Sequence, residues 1–244
     1  MNTVPKIMIQ SDGLKAIGSY AASLWKKKKI VLISDKESFD TYGTQILQYL
    51  TIFGFEVHSL ILNEVLYTTN TANLVYSFLT NQKMTKTDGI IGLGNEAVCQ
   101  LSGYVSATYH GGISLIQIPT TLFSQLTIAK QKQACLLNVA ARHLQLVTTQ
   151  LDGVIIDTNI SAIVSQEELI SIQTFLLNLG LSQDSKCRCE LRKKARIYDH
   201  QLNYKEILDS LPSNLPIGKK MYLRSEKQVI NSRALSLFKS HPIS

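Results

Sequence analysis

A succession of short, unbroken apolar runs separated by stretches of helical spacing constrains this chain more than any other feature. Ile30-Val31-Leu32-Ile33, Gly89-Ile90-Ile91-Gly92-Leu93, Ile113 to Ile118 and Val154-Ile155-Ile156-Asp157 do not alternate apolar with polar residues. A strand that is apolar on both faces must be covered on both, and a parallel sheet between two helical layers does this. Leu14 to Leu24, Phe39 to Phe53, Asn70 to Leu79 and Ala97 to Tyr109 carry apolar residues at helical spacing and supply those layers. Gly54 stands where the second of these helices should stop. Lys6 to Ile9 is a short apolar start, and Glu56 to Leu62 reads as a further strand. The expected class is α/β, a parallel sheet with helices on both faces.

The second part of the chain has a different character. Gln166 to Leu179 reads as an amphipathic helix, residues 182–200 are polar and basic, Tyr204 to Leu211 suits a short helix, and Pro212 to Pro216 suits a turn. The expected division is a sheet domain over 1–157 and, over 158–244, a reduced helical segment with a basic tail. No apolar run approaches the roughly 18–20 residues of a membrane span, and the first residues lack the pattern of a signal peptide. A cytoplasmic location without a membrane partner is expected.

The formal net charge of +7 draws on Lys26 to Lys29 and on Lys186 to Arg196. Four lysines before a strand read as a solvated helix end, so nucleic acid is not the expected partner. A basic surface suits a small anionic ligand or a dinucleotide. Of the cysteines Cys99, Cys135, Cys187 and Cys189, the last two flank a single residue rather than the two of a common zinc or redox pair, and reduced thiols are expected.

In a doubly covered parallel sheet, ligands sit beyond the C-terminal ends of the strands. Asp35, Glu64, Gly94 and Thr120 fall at such ends. The stretch between Asp88 and Leu122 reads DGIIGLGNEAVCQLSGYVSATYHGGISLIQIPTTL. Together with Ile33-Ser34-Asp35, Asn63-Glu64, Val154 to Asp157 and Glu167-Glu168, it resembles the 3-dehydroquinate synthase family without gaps over about the first 180 residues. The resemblance implies a Rossmann-like NAD-binding domain followed by a helical domain with a zinc site, the active site lying between them. It implies conversion of a phosphorylated seven-carbon keto acid by transient NAD oxidation, phosphate loss and ring closure. Zinc would act there as a Lewis acid.

Several positions depart from the family pattern. Its triple glycine falls on Gly94-Asn95-Glu96. Asn95 tolerates an unusual backbone angle, and Glu96 is expected to face solvent at a helix start. Wherever Glu96 points, a carboxylate there weakens a phosphate cradle. The family's aspartate is Gln100, its arginine is Gly111 beside a surface histidine, His110, and its substrate-facing lysine is Gln133. Lys130 and Lys132 lie nearby but out of register. A further lysine position holds Arg142, which keeps the charge but not the geometry. The lysine that follows the family's glycine–glutamate pair is Tyr67. The zinc-binding glutamate falls on Phe175, and its neighbouring lysine on Asn178. His200 and His241 do not stand in the context of the family's zinc histidines.

Asp35, Glu64, Gly94, Thr120 and Thr121 are therefore the cofactor-binding candidates. Gln100, Gln133, Arg142 and Asn178 are degenerate catalytic positions, and no metal site is expected. The expectation is a shortened 3-dehydroquinate synthase-like pseudoenzyme that binds NAD weakly and lacks zinc. An active synthase and a partner-binding or regulatory homologue are the alternatives. A related NAD- or iron-dependent alcohol dehydrogenase would need Asp and His ligands that the chain lacks. A homo-oligomer or a protein partner is expected to cover the sheet's exposed C-terminal edge.

Overall fold

The computed structural model describes residues 5–26, 29–63, 65, 68–141, 143–160 and 204–211, with single positions at 172, 174 and 215. Six strands form one parallel sheet: β1 (Lys6–Gln10), β2 (Lys29–Asp35), β3 (Glu56–Leu62), β4 (Gly89–Gly94), β5 (Ser114–Pro119) and β8 (Gly153–Asp157). Their spatial order is β1-β8-β5-β4-β2-β3. From β2 the chain turns outward to β3 and then crosses back to β4 on the other side. The topological switch, where such sheets open a crevice, therefore lies between the C-terminal ends of β2 and β4.

The unbroken apolar runs are explained by two separate cores. Val31 and Ile33 of β2 point into one, with α4 (Thr69–Asn81), α5 (Glu96–Thr108) and α6 (Leu122–Thr127). Ile30 and Leu32 point into the other, with α1 (Ile17–Leu24) and α3 (Thr44–Ile52). All four side chains are fully buried, each contributing about 1.5–3 kcal/mol of transfer free energy. The turn α2 (Lys36–Ser38) and a π-helical stretch, Phe39–Gly43, lead into α3. Gly54 follows α3 with φ 82° and donates to the Thr51 carbonyl at 2.9 Å, the helix stop read from the sequence.

Two expectations need correction. The segment beyond Thr121, to which the sequence assigned no element before Val154, contains α6 and an antiparallel hairpin of β6 (Gln133–Asn138) and β7 (His143–Thr148). Within β6, Ala134 to Leu137 are buried beside α5. The lysine run does not form a uniformly solvated helix end, because α1 stops at Leu24 and Lys29 opens β2. There Lys29 Nζ donates to the Gln82 carbonyl at 3.0 Å and stands 3.7 Å from Glu56.

In the second part of the chain, α7 (Tyr204–Ser210) is present as expected. Ile207, Leu208, Leu211 and Leu215 are buried in the same core as α6, and the Leu215 amide donates to the Lys130 carbonyl at 3.1 Å. Ile172 and Thr174 are helical, while the rest of the expected 166–179 helix, the basic stretch and Cys187 and Cys189 lie outside the described residues. Among the described residues no helix is long and apolar enough to cross a membrane.

Candidate functional site

Three strand ends meet at the switch point and are tied by side chains. Asp35, the last residue of β2, accepts from the Ser38 amide at 2.8 Å and from the Ser38 hydroxyl at 3.0 Å, which makes it the N-cap of α2. The Ser38 hydroxyl also stands 3.2 Å from the Thr120 hydroxyl, just beyond β5. The Thr120 amide donates to the Gly94 carbonyl at 2.9 Å, closing the set through β4. Gly94 is required by close approach. A Cβ there would lie 2.4 Å from Asp35 Oδ2 and 2.5 Å from Val98 Cγ2. Asp35, Gly94 and Thr120 thus come together, with Thr121 next to them as the N-cap of α6, accepting from the Ser124 amide at 3.3 Å. Glu64 and Tyr67 lie outside the described residues.

The turn from β4 into α5 differs from its sequence reading. Asn95 has an ordinary extended backbone, φ −71° and ψ −172°, so no unusual angle is used. Its side-chain oxygen caps α5, accepting from the Ala97 amide at 2.9 Å and the Val98 amide at 3.4 Å. Glu96, expected to face solvent, is only 7% exposed. It is buried because α5 is sandwiched between the sheet and the β6–β7 hairpin, which the sequence reading had not placed there.

Behind this turn, α5 and β6 meet in a seam of amides. Gln100 is 1% exposed; its Nε2 donates to Gln131 Oε1 at 2.7 Å and its Oε1 accepts from the Cys135 amide at 3.1 Å. Both ends of Gln100 are therefore spent on holding β6 to α5. Gln117, in the middle of β5, donates to the Cys99 carbonyl at 2.8 Å, while its own carbonyl oxygen is buried with no protein partner. Gln133 opens β6 and is exposed. Burial pushes the Cys135 thiol up to about 12 and the Cys99 thiol higher still, and the Glu96 carboxylate adds to both shifts. Both cysteines are neutral thiols at pH 7, poor nucleophiles and poor metal ligands.

Other candidates are not brought to this place. Gly111 lies in the turn before β5, at the opposite end of the sheet from the crevice, with Lys86 Nζ 3.4 Å from where its Cβ would be. His110 beside it is exposed, as expected, with φ 51°. Arg142, Phe175, Asn178, His200 and His241 lie outside the described residues. Two residues were missed. Ser38 was legible as the third residue after a strand-end Asp, an N-capping pattern. Gln131 carries no local signal, since its role depends on a hairpin that returns to α5.

A family model described as 3-dehydroquinate synthase N-terminal matches residues 59–171. A 3-dehydroquinate synthase from Streptococcus thermophilus is 33% identical over 180 residues, covering 73% of this chain and 51% of that protein. One from Lactococcus lactis subsp. cremoris is 34% identical over 183 residues, covering 74% and 49%. The chain thus spans about half the length of the curated relatives it matches.

Among solved structures, 2-epi-5-epi-valiolone synthase from Streptomyces hygroscopicus subsp. jinggangensis, with NAD+ and Zn2+ bound, superposes with TM-score 0.68 at 15% identity, covering 86% of this chain and 61% of that one. The NADH-dependent butanol dehydrogenase A of Thermotoga maritima gives 0.64 at 12% identity, covering 87% and 61%. At such identities these two establish the fold alone, a Rossmann-like α/β sheet. The relatives and the family model carry the ancestry: the chain belongs to the 3-dehydroquinate synthase family, through that family's N-terminal domain.

Proposed function

We propose that this protein is a 3-dehydroquinate synthase homologue that keeps the family's sheet and strand-end turns without its chemistry. The observation that carries this reading is Gln100. It stands where the family pattern has an aspartate, and both of its polar atoms are engaged in packing α5 against β6. A neutral amide committed in this way neither takes a proton nor holds a cation. Gln133 in place of the substrate-facing lysine, and Phe175 and Asn178 in place of the zinc glutamate and its neighbouring lysine, extend the same pattern along the sequence. Removal of one metal ligand or charge clamp costs orders of magnitude in rate, so loss of several together removes turnover. Zinc is not held at that position, and NAD is bound weakly.

The test is formation of 3-dehydroquinate by the purified full chain, supplied with the family's phosphorylated keto acid, NAD and zinc. The expected result is no product above the protein-free blank. Product formation that scales with protein concentration overturns the proposal.

A second reading, association with a second copy of the chain, is favoured by one feature. The 13-residue helix α4 has no charged residue and exposes Leu74, and the sheet's edge strand β3 exposes Ile61. Light scattering on a sizing column is expected to give a mass above that of one chain, and a monodisperse monomer overturns it.

A further inference from the structure

The turn between β4 and α5 is where a doubly wound sheet presents backbone N–H groups to a dinucleotide's pyrophosphate. In this chain two of those donors are already taken. Asn95 Oδ1 accepts from the Ala97 amide at 2.9 Å and from the Val98 amide at 3.4 Å, at the start of a 13-residue helix. The free N–H groups at a helix start are what an anion binds, and a neutral side-chain oxygen satisfies them equally well. The turn is also crowded with negative charge. Gly94 packs so closely on Asp35 that a Cβ would lie 2.4 Å from Oδ2, and the Glu96 carboxylate is buried at the first position of α5. Asp35 and Glu96 both act electrostatically on the Cys99 thiol one turn along the helix.

We infer that Asn95 is the specificity-determining residue that closes this turn to phosphate, acting as a built-in occupant of the anion site. A pyrophosphate entering here displaces the Asn95 side chain from two backbone donors and comes to rest near two carboxylates. The residues present therefore do not fit the dinucleotide at the one place where its charge has to be neutralised. The inference deepens the reading of the protein as a non-catalytic scaffold, but it concerns binding rather than turnover. A wild-type chain that binds NAD tightly without forming product would overturn the inference, and with it the weak binding of NAD, and leave the absence of turnover standing.

The experiment compares wild type, Asn95→Gly, Asn95→Asp and the double variant Asn95→Gly with Glu96→Gln. Each is titrated calorimetrically with inorganic pyrophosphate and, separately, with NAD. Glycine is accepted at a helix N-cap, so Asn95→Gly frees the donors while keeping the helix start. Trp25, the sole tryptophan, reports by fluorescence whether each variant is folded.

The expected result is a gain in pyrophosphate affinity of about tenfold for Asn95→Gly, as charge-assisted bonds replace the amide cap, and a further gain in the double variant. Asn95→Asp, which keeps the cap and adds a charge, is expected to bind no better than wild type. Wild type binding pyrophosphate as tightly as Asn95→Gly overturns the inference. So does a folded Asn95→Gly that gains nothing, whether or not the double variant does, because the closure would then belong to Glu96 or to neither. Should Asn95→Gly fail to fold, Asn95→Ala removes the same side-chain oxygen and is held to the same outcomes.

Discussion

The candidate site has two sides that have diverged in different ways: a first wall at the strand ends and, behind it, a second wall formed by the buried α5–β6 seam. On the first stand Asp35, Gly94, Thr120 and Thr121, the residues read from the sequence as cofactor-binding candidates. On the other, Gln100 and Gln133 stand where charged groups are expected, and Gln131 completes the seam. The contrast warns against reading retained residues as retained function. Every residue of the first wall has a duty that needs no ligand: Asp35 caps α2, Gly94 admits the Asp35 carboxylate, Thr120 ties the end of β5 to Gly94 and Ser38, and Thr121 caps α6. Folding alone is enough to keep them. Under the proposed function the second wall is the one that has given up chemistry, and its glutamine packs α5 against β6.

The largest effect is expected from breaking the first wall at Gly94. Valine there drives a Cβ into Asp35 Oδ2 and Val98, where the contacts would be 2.4 and 2.5 Å. Relief requires Asp35 to leave Ser38 or α5 to shift, at a cost of about 3 kcal/mol. Urea unfolding of Gly94→Val, followed by Trp25 fluorescence, measures this. An unchanged midpoint would mean that the carboxylate swings away freely and that the first wall is looser than its hydrogen bonds suggest.

Gln100→Leu probes the second wall and should cost somewhat less, about 2 kcal/mol, because Gln131 Oε1 and the Cys135 amide lose their partner in a buried place. Gln100→Leu combined with Gln131→Leu should recover part of the loss, since only the Cys135 amide then remains unpaired. A double-mutant cycle isolates that coupling. If the two losses simply add, the seam is two independent contacts rather than one network.

The same contrast explains what was legible in the sequence. The four inner strands, β2, β4, β5 and β8, could be read because burial on both faces writes itself as unbroken Val/Ile/Leu runs, as in Ile30 to Ile33, whereas β1, only partly buried, read as no more than a short apolar start. The strand-end candidates could be read because a parallel sheet fixes where strand ends meet. The hairpin could not. β6 buries only Ala134 to Leu137, β7 is half-exposed, and the turn between them uses Asn138 Oδ1, accepting from the Ala141 amide at 3.0 Å, rather than a glycine-based signal. Without the hairpin, Glu96 looked like an ordinary solvated helix-start carboxylate and Gln100 like a simple loss. Both acquire their surroundings from residues more than thirty positions away.

A smaller effect is expected at Thr121. Alanine there removes the cap of α6 and leaves the Ser124 amide unsatisfied, a loss of about 1 kcal/mol. The first wall is predicted to register this in stability and not in NAD affinity. A fall in NAD binding with no change in unfolding midpoint would reverse the assignment and make Thr121 a ligand contact.

The smallest effect, nil near neutrality, concerns the thiols that line the second wall. Burial raises Cys135 from the ordinary thiol value of 9.0 to about 12, and Cys99 shifts in the same direction. A folded value above the unfolded one means that the unfolded chain gives up its proton first as pH rises. The stability tied to the protonated thiols is fully present below the ordinary value and is lost progressively as pH climbs towards the folded value. Urea unfolding of wild type and Cys135→Ala across that alkaline range should give converging curves, with the variant losing less stability per pH step. Parallel curves would mean that water reaches the α5–β6 seam, and the second wall would then be an open remnant of a site rather than packed interior.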